Sequence, residues 1–564
     1  MISIMKRTLL SLLAALCILP LWAGKPKTLP RTIRNYPSGI VDEYHFRPGY
    51  IVVRGRVENV PAGTFGTLQL TGANIFTEKD FVETIPVDST GRFCASVLVP
   101  HSQFFTLGFD GMVFAAVGDT LDITVKGITE FGEMTMSCSG TGATGEVNRV
   151  WPQLRRQFRL DRPSEKPWEA GDRQVMMDWR KRKLDEFRSI ARAIDADTIS
   201  LMDGCSDFAR DVLKSSLLAQ IPEDIGSTFH QYWWRSIDEN RQIPPEKRIS
   251  RREIWDFLSE CEPYLLDNPC ILLAEYADRL VNALEFGPLD AYMYLSNEIE
   301  SRIGIDDSEQ MSLYKVHYVL PAVYDGEEHR NMLEVRNGRL LSVAEYYRMA
   351  TDTMCTIYGL HNNFMMQVCL AHEVLRDAMR EMGVEQKTED WFLHAMAERL
   401  AGAIPQFTDK LVAQRVVDTY RHFVAEKEGL RPEPSLSPEG DSIFNALVER
   451  YRGNVLVMDF WGMSCAPCRA GMLRQREDVE YFRDKPVRFL YICNEMDSPR
   501  EPSERWMNDN GIRGEHIFLT KDEWNHLVKK FQFLGIPFHV TVDRRGRVVS
   551  KYEPHRVEIE ELLK

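Results

Sequence analysis

Cys465 and Cys468, separated by Ala466-Pro467, are spaced so that each thiol can react with the other. Two thiols at that spacing can close into a disulfide and reopen by exchange with another disulfide. The run ahead of them, Val455-Leu-Val-Met-Asp-Phe-Trp461, is apolar and reads as a buried strand. Arg469-Ala-Gly-Met-Leu-Arg-Gln-Arg476 reads as a helix, which puts Cys465 at a helix N-terminus. Unpaired N–H groups there favour a thiolate over a thiol. The same pair would also serve as half of a zinc site or as a structural disulfide. Zinc wants a second ligand pair, and no further Cys-x-x-Cys or His pair at finger spacing follows. The strand–helix context favours redox chemistry.

The rest of the chain must position that pair. At 564 residues it exceeds one core, and roughly three domains of ~100–200 residues are expected. Hydrophobic content of 44% and charged content of 27% describe an ordinary globular composition. A formal net charge of −14, with no basic stripe, argues against nucleic acid or an anionic membrane surface as partner. The N-terminus has Lys6 and Arg7, then an apolar run from Leu9 to Ala23, then Gly24-Lys25-Pro26. A short basic region, an apolar core of about 15 residues and a small residue at Ala23 make residues 1–23 a secretory signal peptide. The run is short of the ~20 residues a membrane span needs. Leu16 before Cys17 and Ile-Leu-Pro-Leu after it are wrong for lipidation at that cysteine.

Export changes how the cysteines read. Ten of the eleven remain after cleavage, and disulfides are permitted outside the cytosol. The eight beyond the motif form no dense framework. Cys261 and Cys270 are the first candidates for a second pair, with buried free thiols the favoured alternative.

From Tyr50 to Val125 short alternating runs separated by turn residues predict seven strands: 51–57, 67–70, 81–85, 92–98, 104–109, 112–116 and 120–125. Asp88-Ser-Thr-Gly91 and Gly118-Asp119 supply turn chemistry. Residues 24–140 are thus expected to form an antiparallel, sandwich-like all-β domain. Residues 141–425 read as all-α, with amphipathic stripes at Arg173–Ile194, Ile254–Leu265, Leu272–Leu284, Ala344–Ile357, Phe364–Met382, Trp391–Leu400 and Lys410–Phe423. In the first stripe Val175 is placed with Met176 and Trp179 on the apolar face. Tyr232-Trp233-Trp234 reads as core rather than a ligand platform, and His361, Cys369 and His372 as satisfied structural side chains. Residues 426–441 are Pro- and Glu-rich and predict a stiff linker. A helix at 442–451 then leads into the strand before the cysteines, opening an α/β domain over 442–564.

Asp459-Phe-Trp-Gly-Met-Ser-Cys-Ala-Pro-Cys-Arg469 resembles the active site of the thioredoxin superfamily. Phe531-Gln-Phe-Leu-Gly-Ile-Pro-Phe-His-Val-Thr-Val-Asp543, followed by Arg544-Arg-Gly-Arg-Val-Val549, looks like that fold's second signature. The combination is most similar to the TlpA/ResA-type thiol–disulfide oxidoreductases in the long arrangement common in Bacteroidetes, and the likeness covers only about residues 440–564. It implies a thioredoxin-like fold for the C-terminal domain and no cofactor or metal. It makes Cys465 the nucleophile, Cys468 the resolving thiol and Asp459 a buried acid that takes the proton from Cys468 through a water. Pro537 matches the family's cis-proline; with Ile536 and Trp461 it falls in the expected client-binding set. Ser464, Gly471 and Leu473 depart from the family pattern, where a Trp, a Glu and a Pro are common.

The resemblance further implies a disulfide reductase in the periplasm or cell envelope of a Gram-negative bacterium. Disulfide-containing envelope proteins would be its clients and a membrane thiol transporter its electron donor. A second reading comes from the more than 400 residues ahead of the dithiol: an envelope binding or redox-sensing protein whose dithiol is regulatory. A peroxidatic pattern is absent ahead of Cys465.

Overall fold

The computed structural model describes residues 43–58, 66–76, 79–108, 111–128, 134–160, 165–237, 249–285, 287–289, 332–335, 339–385, 403–427 and 436–564. The expected leader and the stripe at 391–400 lie outside these residues. So do the side chains of Trp233 and Trp234, and half of the Pro-rich stretch. The described chain has a β-rich N-terminal region, a helical central region and a C-terminal sheet-and-helix domain. It divides into two compact units. One comprises the described residues within 150–375 and 389–420; the other joins those within 44–149, 376–388 and 421–564.

The N-terminal region has eight strands: β1 (Gly49–Val57), β2 (Thr67–Asn74), β3 (Lys79–Pro86), β4 (Arg92–Val99), β5 (Gln103–Leu107), β6 (Gly111–Ala115), β7 (Thr120–Ile128) and β8 (Met134–Gly140). Strand β8 has no counterpart in the sequence reading; its Thr-Met-Ser-Cys-Ser run has few branched apolar residues. They form two four-stranded sheets, ordered β4-β1-β7-β8 and β3-β2-β5-β6. Alternate residues from both sheets meet in one core, including Ile51, Val53, Leu70, Ile85, Phe105 and Ile123. The expectation of a purely antiparallel arrangement fails at one ladder, because β1 and β7 run parallel. Between them the chain passes through β4 of the same sheet, which runs antiparallel to β1, and through the four strands of the other sheet.

In the helical unit the principal elements are α1 (Gly142–Gln157), which begins in the other unit, α2 (Arg173–Asp195), α3 (Asp207–Ile237), α4 (Ala277–Glu285), α5 (Val343–Tyr358), α6 (Phe364–Glu385) and α7 (Lys410–Lys427), with a short hairpin of β9 (Met332–Val335) and β10 (Arg339–Ser342). Helix α2 starts at Asp172, whose carboxylate accepts from the N–H groups of Gln174 and Val175. Its buried stripe runs through Met176, Trp179, Leu184, Phe187 and Ile190, but Val175 is exposed, a correction to the predicted stripe. Helix α3 escaped the stripe search because Leu213, Leu217, Leu218, Ile221 and Ile225 bury more than one face, and Pro222 lies within it. The predicted helix at 254–265 is broken into short turns, with Pro263 in the last. Tyr232 is buried, His361 faces Glu262 at 3.1 Å and His372 faces Glu285 at 3.0 Å.

The C-terminal domain runs α8 (Pro438–Arg450), β11 (Val455–Phe460), α9 (Ala466–Tyr481), β12 (Val487–Asn494), α10 (Arg500–Asp509), β13 (Glu515–Leu519), α11 (Lys521–Phe531), β14 (Phe538–Val542), β15 (Val548–Ser550) and α12 (Arg556–Leu562). Helix α8 begins earlier than predicted. Ser437 caps it through the N–H of Gly440, and Pro438 sits at its first position, where a missing N–H costs nothing. The sheet order is β13-β12-β11-β14-β15, with β11, β12 and β13 parallel and β14 antiparallel to β11. Central β11 is buried on both faces. Leu456, Met458 and Phe460 pack with α8 and α11, while Val455 and Val457 pack with α9, α10 and α12.

The β-rich region joins this domain through α11. Thr67 donates to Asp522 at 2.7 Å, and Asn525 donates to Thr67 at 3.0 Å. Gln69 reaches the carbonyl of Asn525, Lys529 pairs with Glu83, and Asp80 accepts from the N–H of Leu534 at 3.0 Å. Gln532 terminates α11 with φ of 53° and uses its amide like a strand neighbour, accepting from the N–H of Val82 and donating to its carbonyl, each at 3.0 Å. Val82 itself enters the core beside Phe444 and Phe531.

Replacing Gln532 with Ala would leave both main-chain groups of buried Val82 unpaired, at an expected cost on the order of 1–3 kcal/mol. Gln532→Gly loses the same bonds but relieves the left-handed backbone. Both variants should lower the urea midpoint of unfolding, Ala more than Gly; equal midpoints in Gln532→Ala and the parent would show that the seam adds no stability.

Candidate active site

Cys465 is the N-cap of α9 and closes a disulfide with Cys468 in the first turn. The N–H of Cys468 donates to Cys465 Sγ at 3.1 Å, so an orphan donor of the helix already points at the sulfur that would carry charge on reduction. The two sulfurs differ in access: Cys465 is half-buried, and Cys468 is 1% exposed. An incoming disulfide therefore meets Cys465.

The loop before α9 is held on one side by Ser498, whose hydroxyl accepts from the N–H of Met463 at 2.9 Å. On the other it abuts the turn between α11 and β14, where the Ile536–Pro537 peptide is cis. Cys465 Sγ lies 3.6 Å from the carbonyl oxygen of Ile536. Gly462 permits this approach: a Cβ there would sit 3.1 Å from Ile536 Cδ1 and 3.4 Å from Ser498 Oγ. Pro537 is exposed and Ile536 half-buried, so both present surface next to Cys465. Trp461, expected among client-contacting residues, is 1% exposed and packs against Trp506 with ring centroids 5.9 Å apart. This corrects its role: it supports the cysteine loop from beneath and offers nothing to a client. Arg469 lies over the Trp506 ring, 5.8 Å from its centroid.

Asp459 shares the alternation of Val455 and Val457, the face that also holds Cys468. It is 2% exposed, and burial followed by the negative charge of Glu553 pushes its carboxyl up to about 7. Opposite it on β14 stands His539, and opposite it on β12 stands Tyr491. His539 Nδ1 is 3.8 Å from Asp459 Oδ1, and burial lowers the imidazole's proton affinity. Tyr491 donates to Gln475 at 3.2 Å. His539, Glu553 and Ser498 were not singled out from the sequence. His539 stands two positions after Pro537, but only the β11–β14 register sets it across from Asp459.

Among the described residues the other cysteines form no further disulfide. Cys261 and Cys270 are free and buried, and burial raises both. Cys493 on β12 is likewise free, pushed up to about 12 chiefly by burial.

A mixed sheet with helices on both faces, carrying a dithiol at the N-terminus of the helix after its central strand, defines a thiol–disulfide site. No protein-family profile and no curated protein matches the chain. Solved structures do, over about a fifth of its length. They include the thioredoxin domain of a thiol-disulfide oxidoreductase from Bacteroides vulgatus, 19% identical, covering 21% of this chain and 84% of that one with a TM-score of 0.19. A thiol:disulfide interchange protein from Bacteroides sp. is also 19% identical, covering 20% and 74% with a TM-score of 0.19. A secreted thiol-disulfide isomerase from Corynebacterium glutamicum is 18% identical, covering 21% and 72% with a TM-score of 0.18. The partial resemblance is to thioredoxin-family thiol-disulfide oxidoreductases, the family that the residues around Cys465 resemble.

The buried carboxyl makes stability depend on pH. The native state keeps the Asp459 proton up to about pH 7, whereas the unfolded chain releases it near pH ~4. Its contribution is full below the unfolded value and is lost as pH rises between the two, amounting to about 4 kcal/mol. Asp459→Asn should flatten this slope, so that denaturant unfolding at about pH 8 shows the variant more stable than the parent and at about pH 4 shows little difference. A parent stability that does not fall over that interval would contradict the assignment.

Proposed function

We propose that the chain is an exported thiol–disulfide oxidoreductase that reduces disulfides in envelope proteins. One observation carries the reading: a half-buried Cys465 capped by the N–H of Cys468, with that second thiol buried behind it and the Ile536–Pro537 turn alongside. The Cys465 thiolate attacks one sulfur of a client disulfide, forming a mixed disulfide and releasing the other client sulfur as thiolate. Cys468 then loses its proton and attacks Cys465 Sγ. The second client sulfur leaves, the Cys465–Cys468 disulfide closes, and two electrons have passed to the client. A dithiol donor restores the reduced pair; a membrane thiol transporter fits a protein working outside the cytosol. Export rests on residues 1–23, and location in the periplasm or envelope of a Gram-negative bacterium rests on the resemblance to TlpA/ResA-type proteins. Ile536 and Pro537 lie where a client strand would run past Cys465, and Leu534 adds an exposed apolar side chain two positions earlier.

The binding or sensing alternative draws support from the seam, which ties β2 and β3 to the segment 532–534 just ahead of the cis-proline turn. In that reading the β-rich region recognises a partner and the dithiol modulates it.

Insulin reduction should vanish in Cys465→Ser, and Cys468→Ala should accumulate covalent clients in envelope extracts that are released by reductant. A redox titration should place the pair near the reducing end of the roughly −270 to −120 mV range spanned by Cys-x-x-Cys proteins. A potential at the oxidising end would overturn the reductase direction. A partner retained by Cys465→Ala, with no client trapped in Cys468→Ala, would favour the binding reading.

A further inference from the structure

Resolution of the mixed disulfide requires Cys468 to lose a proton in a place without solvent. Asp459 lies on the same buried face and takes it, but Asp459 is itself 2% exposed and must pass the proton on before it can act again. A neighbouring side chain that can both accept and release a proton would give it an outlet. Among the described residues Asp459 Oδ1 has no hydrogen-bond partner, and neither has His539 Nδ1. The two atoms face each other across the β11–β14 ladder at 3.8 Å, beyond a hydrogen bond by less than about 1 Å.

We propose that His539 is the second member of a buried proton relay, accepting at Nδ1 the proton that Asp459 takes from Cys468. The inference rests on the oxidoreductase reading above and adds a residue that acts through Asp459. An imidazole suits the task because it can accept at one ring nitrogen and release from the other. The surroundings suit it too. Burial raises the carboxyl and lowers the imidazole, which weakens the ordinary preference of the proton for the imidazole over the carboxyl. Glu553, ahead of α12, acts on both with its negative charge and holds the transferred proton in the pair. From β12 the facing group is Tyr491, neutral because burial raises its phenol, and its hydroxyl is engaged by Gln475 of α9. From α9 the groups are the dithiol and Arg474, whose guanidinium lies 4.0 Å from Glu553. Thr541, next on the same face of β14, adds a buried hydroxyl without charge.

The bonds made and broken balance. The S–H bond of Cys468 breaks, an O–H forms on Asp459, then that O–H breaks as N–H forms on His539. The thiolate so freed expels the client sulfur from Cys465.

The test separates attack from resolution. Reduced full-length protein is mixed with oxidised glutathione and acid-quenched at intervals, and the peptide holding Cys465 and Cys468 is weighed. Its glutathione adduct reports attack by Cys465, and conversion of the adduct to the internal disulfide reports resolution. In His539→Gln, resolution relative to attack should slow on the order of tenfold at neutral pH and recover as rising pH ionises Cys468 unaided. In Glu553→Gln, loss of the negative charge lowers the proton affinity of Asp459, so the pH profile of resolution should move to lower pH. A merely structural histidine would alter stability and leave these profiles in place. Should His539→Gln fail to fold, His539→Asn decides by the same ratio: resolution as fast as in the parent at neutral pH overturns the relay. If the adduct forms and closes with unmoved profiles, the relay is overturned and the oxidoreductase reading stands. If the parent protein forms no adduct at Cys465, it is the oxidoreductase reading that falls.

Discussion

The constraint on which the site depends is the double-sided burial of β11. With apolar residues packed on both faces, any polar side chain on this strand is cut off from water. Asp459 is such a residue, and the same packing that excludes solvent raises its proton affinity into the range where it can trade protons with a thiol. The strand ends at Phe460, and its continuation through Trp461 and Gly462 delivers Cys465 to the start of α9. Core and chemistry thus share six residues of chain, and the cost of burying a carboxyl is the condition for its use.

Much of this was legible in the residues. Alternation in 50–125 placed strands β1 to β7 within a few positions, because a half-buried sheet imposes a period of two. The cysteine spacing located the dithiol, and Asp459 and Pro537 are found as a buried carboxyl on β11 and the cis turn beside Cys465. Other features have no local signature. Trp461 looks the same in sequence whether it greets a client or lies beneath the loop. Helix α3 hid because burial on more than one face erases the one-sided stripe. Pro438 reads as a breaker until its place at the first turn of α8 is known. His539 acquires meaning only from strand register, which a sequence pattern does not fix between ladders so far apart.

The seam between the β-rich region and α11 was hidden for the same reason. Its contacts are mainly polar and span more than 400 positions, as between Thr67 and Asp522 or Val82 and Gln532. A run such as Thr-Leu-Gln-Leu-Thr announces a strand, yet nothing in it says that Thr67 and Gln69 will be met by a helix from the far end of the chain. The β-rich region is consequently part of the same compact unit as the dithiol.

That seam also sets an order of events for a growing chain. Its two halves are separated by the whole helical unit, so β2 and β3 are made long before α11 exists to cover them. Closing so long a loop is not the difficulty, since each doubling of length adds only about 0.6 kcal/mol. Timing is. Until the last part of the polypeptide has emerged, strand β3 stands as an open sheet edge with Val82 uncovered, the kind of surface on which other chains add strands. Gln532 therefore does for the finished protein what a chaperone must do for the unfinished one.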